Sequence, residues 1–202
     1  MSNDHYFSPS PDSVRVDQSV SISIRGRNLV VTTASGTFSA DALDRGTKVL
    51  LESVPTPPAT GTLVDVGCGW GPITLALALE SPDASVIGVD VNERARELTA
   101  QNAATHGLGN VHVVTPDAFP GDLSIDCIWS NPPIRVGKEA LHELLTTWLN
   151  RLSPEGVAYL VVAKQLGSDS LQRWIAGGEP GNFSCERLAT DKGFRVLEVR
   201  RR

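Results

Sequence analysis

The chain is predicted to be an α/β protein built on a doubly wound, mostly parallel sheet of seven strands, on three observations. From Thr62 onward short, fully apolar runs alternate with helix-length amphipathic segments, the pattern of strands covered on both faces by crossover helices. The last two apolar runs are separated by only four residues, too few for a crossover, so they form an antiparallel hairpin. Finally, 202 residues with 41% hydrophobic side chains suffice for one globular core and a small appendage.

Each element follows from local pattern. Residues 1–12 are too polar to order by themselves. Val20, Ile22 and Ile24 alternate with serines, Gly26-Arg27-Asn28 supplies turn chemistry, and 29–33 is again apolar and β-branched, which predicts a β-hairpin. Across 41–54, Leu43, Val49, Leu50 and Leu51 fall at helical spacing until Pro55-Thr56-Pro57-Pro58 stops the helix. Residues 1–60 therefore form a lead-in, and 61–202 the main domain. Within it, strands are expected at 63–66, 86–90, 111–115, 125–130 and 157–162, and helices at 73–80, 93–106 and 139–152. Gly107 stands at the C′ position of the second of these helices, with His106 set against its last carbonyls. The closing hairpin pairs 184–189 with 194–199 around Thr190-Asp191-Lys192-Gly193.

Composition narrows the function classes. A net charge of −5 argues against nucleic-acid binding by bulk electrostatics, while leaving room for a local basic patch. Cys68, Cys127 and Cys185 are odd in number and far apart, so neither a disulfide framework nor a zinc site is expected. His5, His106, His112 and His142 show no ligand spacing, and no metal is expected. No apolar run approaches the ~18 residues of a membrane span, and no basic segment leads into an apolar one at the start. The expectation is a cytoplasmic protein with no membrane association.

Chemistry concentrates at three predicted strand ends. In Val64-Asp65-Val66-Gly67-Cys68-Gly69-Trp70-Gly71 an apolar strand runs into a glycine-spaced turn and a helix. Such a turn lets backbone approach a ligand beyond the carboxyl ends of the strands. Its G-x-G-x-G spacing differs from the G-x-G-x-x-G of pyrophosphate binders, and Asp65 beside it would repel phosphate but pair with an ammonium group, such as that of S-adenosylmethionine. Asp90, at the end of the next strand and followed by Val91, suits the two hydroxyls of a ribose. Asp117, after the third strand, suits an adenine amine, with Ala118 and Phe119 as apolar contacts to the ring. Taken singly, Asp65 and Asp90 are also ordinary strand-end caps and Asp117 a turn former beside Pro116; three acids at successive strand ends favour a nucleoside site.

After the fourth strand comes Ser130-Asn131-Pro132-Pro133-Ile134. Two prolines remove two donors and fix the backbone, leaving the Asn131 side-chain oxygen and the Pro132 carbonyl as acceptors for one NH2 group. Paired acceptors can orient an amine lone pair toward a sulfonium methyl and stabilise the positive charge that develops.

These residues resemble a known family. Asp65-Val66-Gly67-Cys68-Gly69-Trp70-Gly71, Asp90 and Asn131-Pro132-Pro133-Ile134 are similar to class I S-adenosylmethionine-dependent methyltransferases of the methyltransferase small domain group, especially 16S ribosomal RNA guanine-N2 methyltransferases and their short single-domain relatives. The resemblance spans nearly the whole chain. It implies a Rossmann-like sheet and S-adenosyl-L-methionine as cofactor, with S-adenosyl-L-homocysteine as product. The site residues it implies are Phe38, Asp65, Gly67, Cys68, Gly69, Gly71, Asp90, Val91, Asp117, Ala118 and Asn131 for the cofactor, and Asn131, Pro132, Pro133 and Ile134 for catalysis. Ser35-Gly36-Thr37-Phe38-Ser39 and Leu43-Asp44-Arg45-Gly46-Thr47 look like the segment that folds over the cofactor in that group; 134–139 and 163–167 look like its later loops.

Two departures are visible. The longer guanine-N2 enzymes carry an additional N-terminal domain for which 202 residues leave no room, and Ile134 stands where DNA-adenine and protein-glutamine methyltransferases have an aromatic residue. Ile134 and the flanking segments favour guanine N2 in ribosomal RNA, naked or in the small ribosomal subunit, as the expected substrate; the acidic charge and the missing domain slightly favour the alternative, a protein glutamine or small-molecule amine, and a non-catalytic cofactor-binding module is a third possibility. Arg135 and Lys138 beside the amine loop are candidate phosphate contacts or a solvated helix start, and Arg15, Arg25, Arg27 and Arg200 to Arg202 are a candidate basic rim or a solvated edge that discourages strand pairing. Trp70 is a candidate for the cofactor cavity wall, with Trp129, Trp148 and Trp174 assigned to the core or an interface.

Overall fold

The structure, a computed structural model, describes residues 14–202 except for the Arg135 side chain; the polar stretch 1–12 and His5 lie outside the described residues. A two-stranded hairpin, β1 (Asp17–Ile24) and β2 (Arg27–Ala34), precedes helix α1 (Arg45–Ser53). Then follow β3 (Thr62–Val66), α2 (Pro72–Glu80), β4 (Ser85–Val89), α3 (Glu93–Thr105), β5 (Val111–Val114), β6 (Ile125–Ser130), α4 (Lys138–Leu149), β7 (Leu152–Ala163), α5 (Ser168–Ala176), β8 (Phe183–Asp191) and β9 (Phe194–Arg201).

The main sheet has seven strands in the order β5-β4-β3-β6-β7-β9-β8. The first five are parallel, and β9 inserts antiparallel between β7 and β8. Alternation along each strand divides the core in two. Leu63, Val86, Cys127, Trp129, Val157 and Val161 face α1, α2, α3 and the hairpin, while Val64, Ile87, Ile128, Leu160 and Val162 face α4 and α5. The order of strand addition reverses between the parallel neighbours β3 and β6, the place where a doubly wound sheet opens a crevice at its carboxyl edge.

The lead-in shares the sheet's core. Ile22, Ile24, Leu29 and Val31 are buried with Leu63 and Trp129 in one cluster. The buried Asn102 of α3 accepts from Thr32 N at 2.8 Å and donates to Thr32 O and Trp70 O, both at 2.9 Å. Arg25, paired with Glu80, donates to Leu51 O and Val54 O and so satisfies the last carbonyls of α1.

Several boundaries differ from the sequence pattern. The helix expected from residue 41 begins at Arg45, because Asp44 caps it by accepting from Thr47 N at 2.9 Å. The turn of the first hairpin is Arg25-Gly26 and that of the last is Lys192-Gly193; all four residues have positive φ, matching the twist of the flanking strands, so Arg27 and Asn28 already belong to β2. Helix α4 ends at Leu149 and leaves Leu152 to β7, which is twice as long as expected and pairs irregularly with β6 near Ile125. Helix α5, absent from the sequence reading, is amphipathic through Leu171, Trp174 and Ile175 but starts at a left-handed glycine, Gly167, instead of a capping side chain. Among the described residues no helix is long and apolar enough to cross a membrane.

Candidate functional site

Two loops face each other across the β3/β6 switch point. The glycine loop leaves β3 and is clamped to the end of β4: Gly67 N and Cys68 N donate to Val89 O at 2.8 and 3.0 Å, and Gly69 N donates to Asp90 Oδ2 at 3.0 Å. Gly71 sits at φ +100°, caps α2, and leaves so little room that a Cβ would lie 3.1–3.3 Å from Thr99. At Gly69 a Cβ would meet open space, so the backbone there is bare toward the crevice.

Beneath this loop two carboxylates are buried. Asp65 is fully enclosed; its Oδ2 accepts from Thr74 N at 2.9 Å and Thr74 Oγ1 at 2.7 Å, while Oδ1 has no partner. Burial pushes its pKa up to about 7 against the two Thr74 bonds, with the Asp90 charge adding to the rise. Asp90 accepts from Asn92 N through Oδ1 and from Gly69 N through Oδ2, and burial raises its pKa despite both bonds. Arg96 donates to the carbonyls of Asp90 and Val91 and holds that corner from outside. The Cys68 thiol, buried beside both acids, is pushed well above its ordinary value and stays protonated, which removes it as a nucleophile.

The facing loop follows β6. Asn131 Nδ2 donates to Asp44 Oδ2 at 2.9 Å and to Thr47 Oγ1 at 3.1 Å, and no described residue donates to Asn131 Oδ1. The carbonyl of Pro132, expected to be free, already accepts from Ile134 N at 2.9 Å, so only its second lone pair is available. Ile134 is partly buried against the α4/α5 core.

Phe38, Ser39, Thr47, Pro72, Ile73, Asn131 and the stretch from Gly67 to Trp70 line one narrow cleft. Of the residues singled out from sequence, the fold thus gathers Phe38, Gly67, Cys68, Gly69, Trp70 and Asn131 around one space. Asp65 and Asp90 stand behind the loop and are not among its walls, while Asp117 and Ala118 are exposed on the turn after β5. Phe119 is not available to a ligand: it is buried, 5.0 Å edge-to-face from Trp148 with Arg151 over its ring. Trp129 is fully buried, and Trp148 and Trp174 pack in the other core layer, as expected.

Four arginines of the candidate rim have partners within the protein, whereas Arg27 and Arg202 are exposed. Arg15 is paired with Asp17 and Glu97, Arg25 is spent on Glu80 and the end of α1, Arg200 pairs with Glu198, and Arg201 donates to Asn150 O. At the crevice end of the sheet, exposed cations are instead Arg45 at the start of α1, Lys138 at the start of α4 and Lys164 after β7.

Asp44 and Thr47 fall in the segment that the family resemblance sets over the cofactor, but with no role toward Asn131; Pro72, Ile73 and Thr74 are site residues not singled out from sequence. The capping spacing of Asp44 before Thr47 was a readable signal for the helix start; their contact with Asn131, 87 and 84 residues away, was not.

Comparison with known proteins places this geometry. The sequence profile of the methyltransferase small domain matches residues 28–198. The Bacillus subtilis (strain 168) protein YbxB is 36% identical over 83% of this chain and 85% of its own length. The ribosomal RNA small subunit methyltransferase C of Pseudomonas syringae pv. syringae is 30% identical over 95% of this chain, and the large subunit methyltransferase G of Streptomyces avermitilis is 28% identical over 84%. The chain spans about half the length of these two ribosomal RNA methyltransferases, 58% and 44%. A solved structure of the T. thermophilus 16S rRNA N2 G1207 methyltransferase, bound to AdoMet and guanosine, has the same fold, with a TM-score of 0.79 over 92% of this chain and 51% of its own at 24% identity. With a crevice built at the sheet's switch point and the profile matched over most of its length, the chain belongs to the methyltransferase small domain family.

Proposed function

We propose that the chain is an S-adenosylmethionine-dependent N-methyltransferase acting on an exocyclic nucleobase amine, guanine N2 of 16S ribosomal RNA before others. A member of this family takes S-adenosyl-L-methionine and yields S-adenosyl-L-homocysteine. The residues present fit that group. Asp65 keeps one fully buried oxygen without a partner behind the glycine loop, an acceptor that an ammonium group would satisfy.

When bound, the cofactor supplies a sulfonium methyl. Asp65 holds the ammonium end, with the backbone of Gly67, Cys68, Gly69 and Gly71 against it and Phe38 covering from the lead-in. Asp90 keeps lone pairs for the ribose hydroxyls beside Val91, and Asp117 with Ala118 meets the adenine. Asn131 Oδ1 and the second lone pair of the Pro132 carbonyl accept the amine hydrogens, Pro133 stiffens the loop, and Ile134 packs on the base. Asn131 and Pro132 would hold the amine while it takes up the methyl, the electron pair of the broken bond staying with the cofactor, and the surplus amine proton would pass to water, so no strong base is required. Residues 1–60 then serve as cover and 61–202 as the catalytic unit.

The observation that carries this reading is Asn131: its nitrogen is tied back to Asp44 and Thr47, so its oxygen remains as acceptor in the cleft it shares with the glycine loop. Ribosomal RNA is favoured over protein because the named relatives act on both ribosomal subunits' RNA, and because Arg45, Lys138 and Lys164 are exposed at the crevice end. A paired, stacked guanine hides its amine, so the target is unstacked or flipped, in naked RNA or an incomplete small subunit in the cytoplasm. Incubation with methyl-labelled cofactor and small subunits, large subunits, naked ribosomal RNA or total protein tests this. N2-methylguanine in small-subunit RNA is the expected product; label only in protein, or in no RNA form, overturns it.

A further inference from the structure

We propose that Asp44, from the lead-in, is a positioning residue that sets the polarity of Asn131 and thereby selects an amine over a carbonyl at the acceptor site. This rests on the proposed transfer to an amine. An asparagine amide has two ends of nearly equal size, so shape does not decide which end faces a substrate; partners do. Here both Nδ2 hydrogens are taken, one by Asp44 Oδ2 at 2.9 Å and one by Thr47 Oγ1 at 3.1 Å. Asp44 Oδ2 also accepts from Thr47 N at 2.9 Å, so one carboxylate oxygen both caps α1 and grips Asn131.

Rotating the amide by half a turn would set its oxygen against a carboxylate oxygen, acceptor against acceptor. It would also present two donors to an incoming NH2. The negative charge therefore does what a neutral hydroxyl cannot: it excludes the reversed amide, and it polarises the amide so that Oδ1 becomes the better acceptor for a nitrogen gaining positive charge. The close approach is built in. A Cβ on Gly46 would lie 2.9 Å from Phe194 Cε1 and 3.0 Å from Asp44 Oδ2, so glycine lets the start of α1 seat between β9 and Asn131.

The test compares Asp44→Ser, Asp44→Asn, Asn131→Ala and the Asp44→Ser/Asn131→Ala double variant. Serine keeps the cap but is too short to reach Asn131, whereas asparagine keeps an acceptor oxygen without the charge. The Asn131 side-chain amide is identified in a nitrogen-15 spectrum by its loss in Asn131→Ala. In Asp44→Ser its signals shift and its hydrogens exchange about tenfold faster or more, while the melting temperature stays near that of the wild type. With an amine acceptor, Asp44→Ser lowers kcat by about 10- to 100-fold at unchanged cofactor Kd, Asp44→Asn recovers part of the loss, and Asp44→Ser adds nothing once Asn131 is alanine. An amide spectrum and exchange rate untouched by Asp44→Ser overturn the proposal, as do losses at 44 and 131 that simply multiply. Wild-type protein that methylates no acceptor would sink the proposed function, and the amide exchange would still decide the role of Asp44.

Discussion

The glycine loop after β3 and the Asn-Pro-Pro loop after β6 lie on opposite sides of the same crevice but are held in opposite ways. The first is secured by its immediate neighbours: backbone bonds to Val89, one bond to Asp90 and a close seat on Thr99. Those partners belong to the same strand–turn–helix unit or the next, while the Trp70 ring reaches back to the lead-in and donates to Ser39 O at 3.2 Å. The second has a stiff backbone but a side chain oriented from far away, by Asp44 and Thr47. A site that binds by backbone can be written locally, whereas one that reads a donor by a side-chain amide needs an outside group to set which end is which.

That contrast can be broken experimentally. Asn131→Ala should have the largest effect, lowering transfer by about 10²- to 10³-fold while leaving cofactor affinity by calorimetry unchanged; loss of both would make the two loops one structural unit.

Next is Asp65. Its folded pKa of about 7 lies above the ordinary carboxylate value, so its contribution to stability is fully present below about pH 4 and is lost as pH rises to about 7. Asp65→Asn should therefore gain on the wild type across that window, level off above pH 7, and by no more than ~4 kcal/mol in urea melts without cofactor. Cofactor affinity of the wild type should rise over the same window, because an ammonium group needs the ionised acid; a flat pH profile would detach Asp65 from the cofactor.

Gly71→Ala forces a side chain into φ +100° against Thr99 and should cost about 1–3 kcal/mol, with stability and cofactor binding falling together. The smallest effect on stability belongs to Gly46→Ala. Better helix propensity offsets the contact with Phe194, leaving stability within about 1 kcal/mol, yet transfer should fall several-fold as Asp44 is displaced. A fall in stability without a fall in transfer would show that the start of α1 only supports the core.

Much of the fold was legible in residue pattern because burial on both faces writes itself into the strands. Leu63, Val64 and Val66 are apolar because helices cover both sides, and their period identifies them without any partner. Boundaries slipped where a single side chain decided them: Asp44 moved a helix start by four residues, and α5 escaped notice because Gly167, with no capping side chain, opens it. Phe119 could be assigned to a ligand only until Trp148 and Arg151 were seen to enclose it.

The order of apolar runs, the glycine spacing with Asp65, and the proline pair after Asn131 thus carried the fold class and the candidate chemistry unaided, because each is a property of neighbours along the chain. Tertiary structure alone decided which acid was buried with an unpartnered oxygen, which arginines were already committed, and that the lead-in reaches across 87 residues to orient Asn131. Those are consequences of desolvation and of hydrogen-bond partnership between segments distant in sequence, and neither leaves a period or a spacing behind.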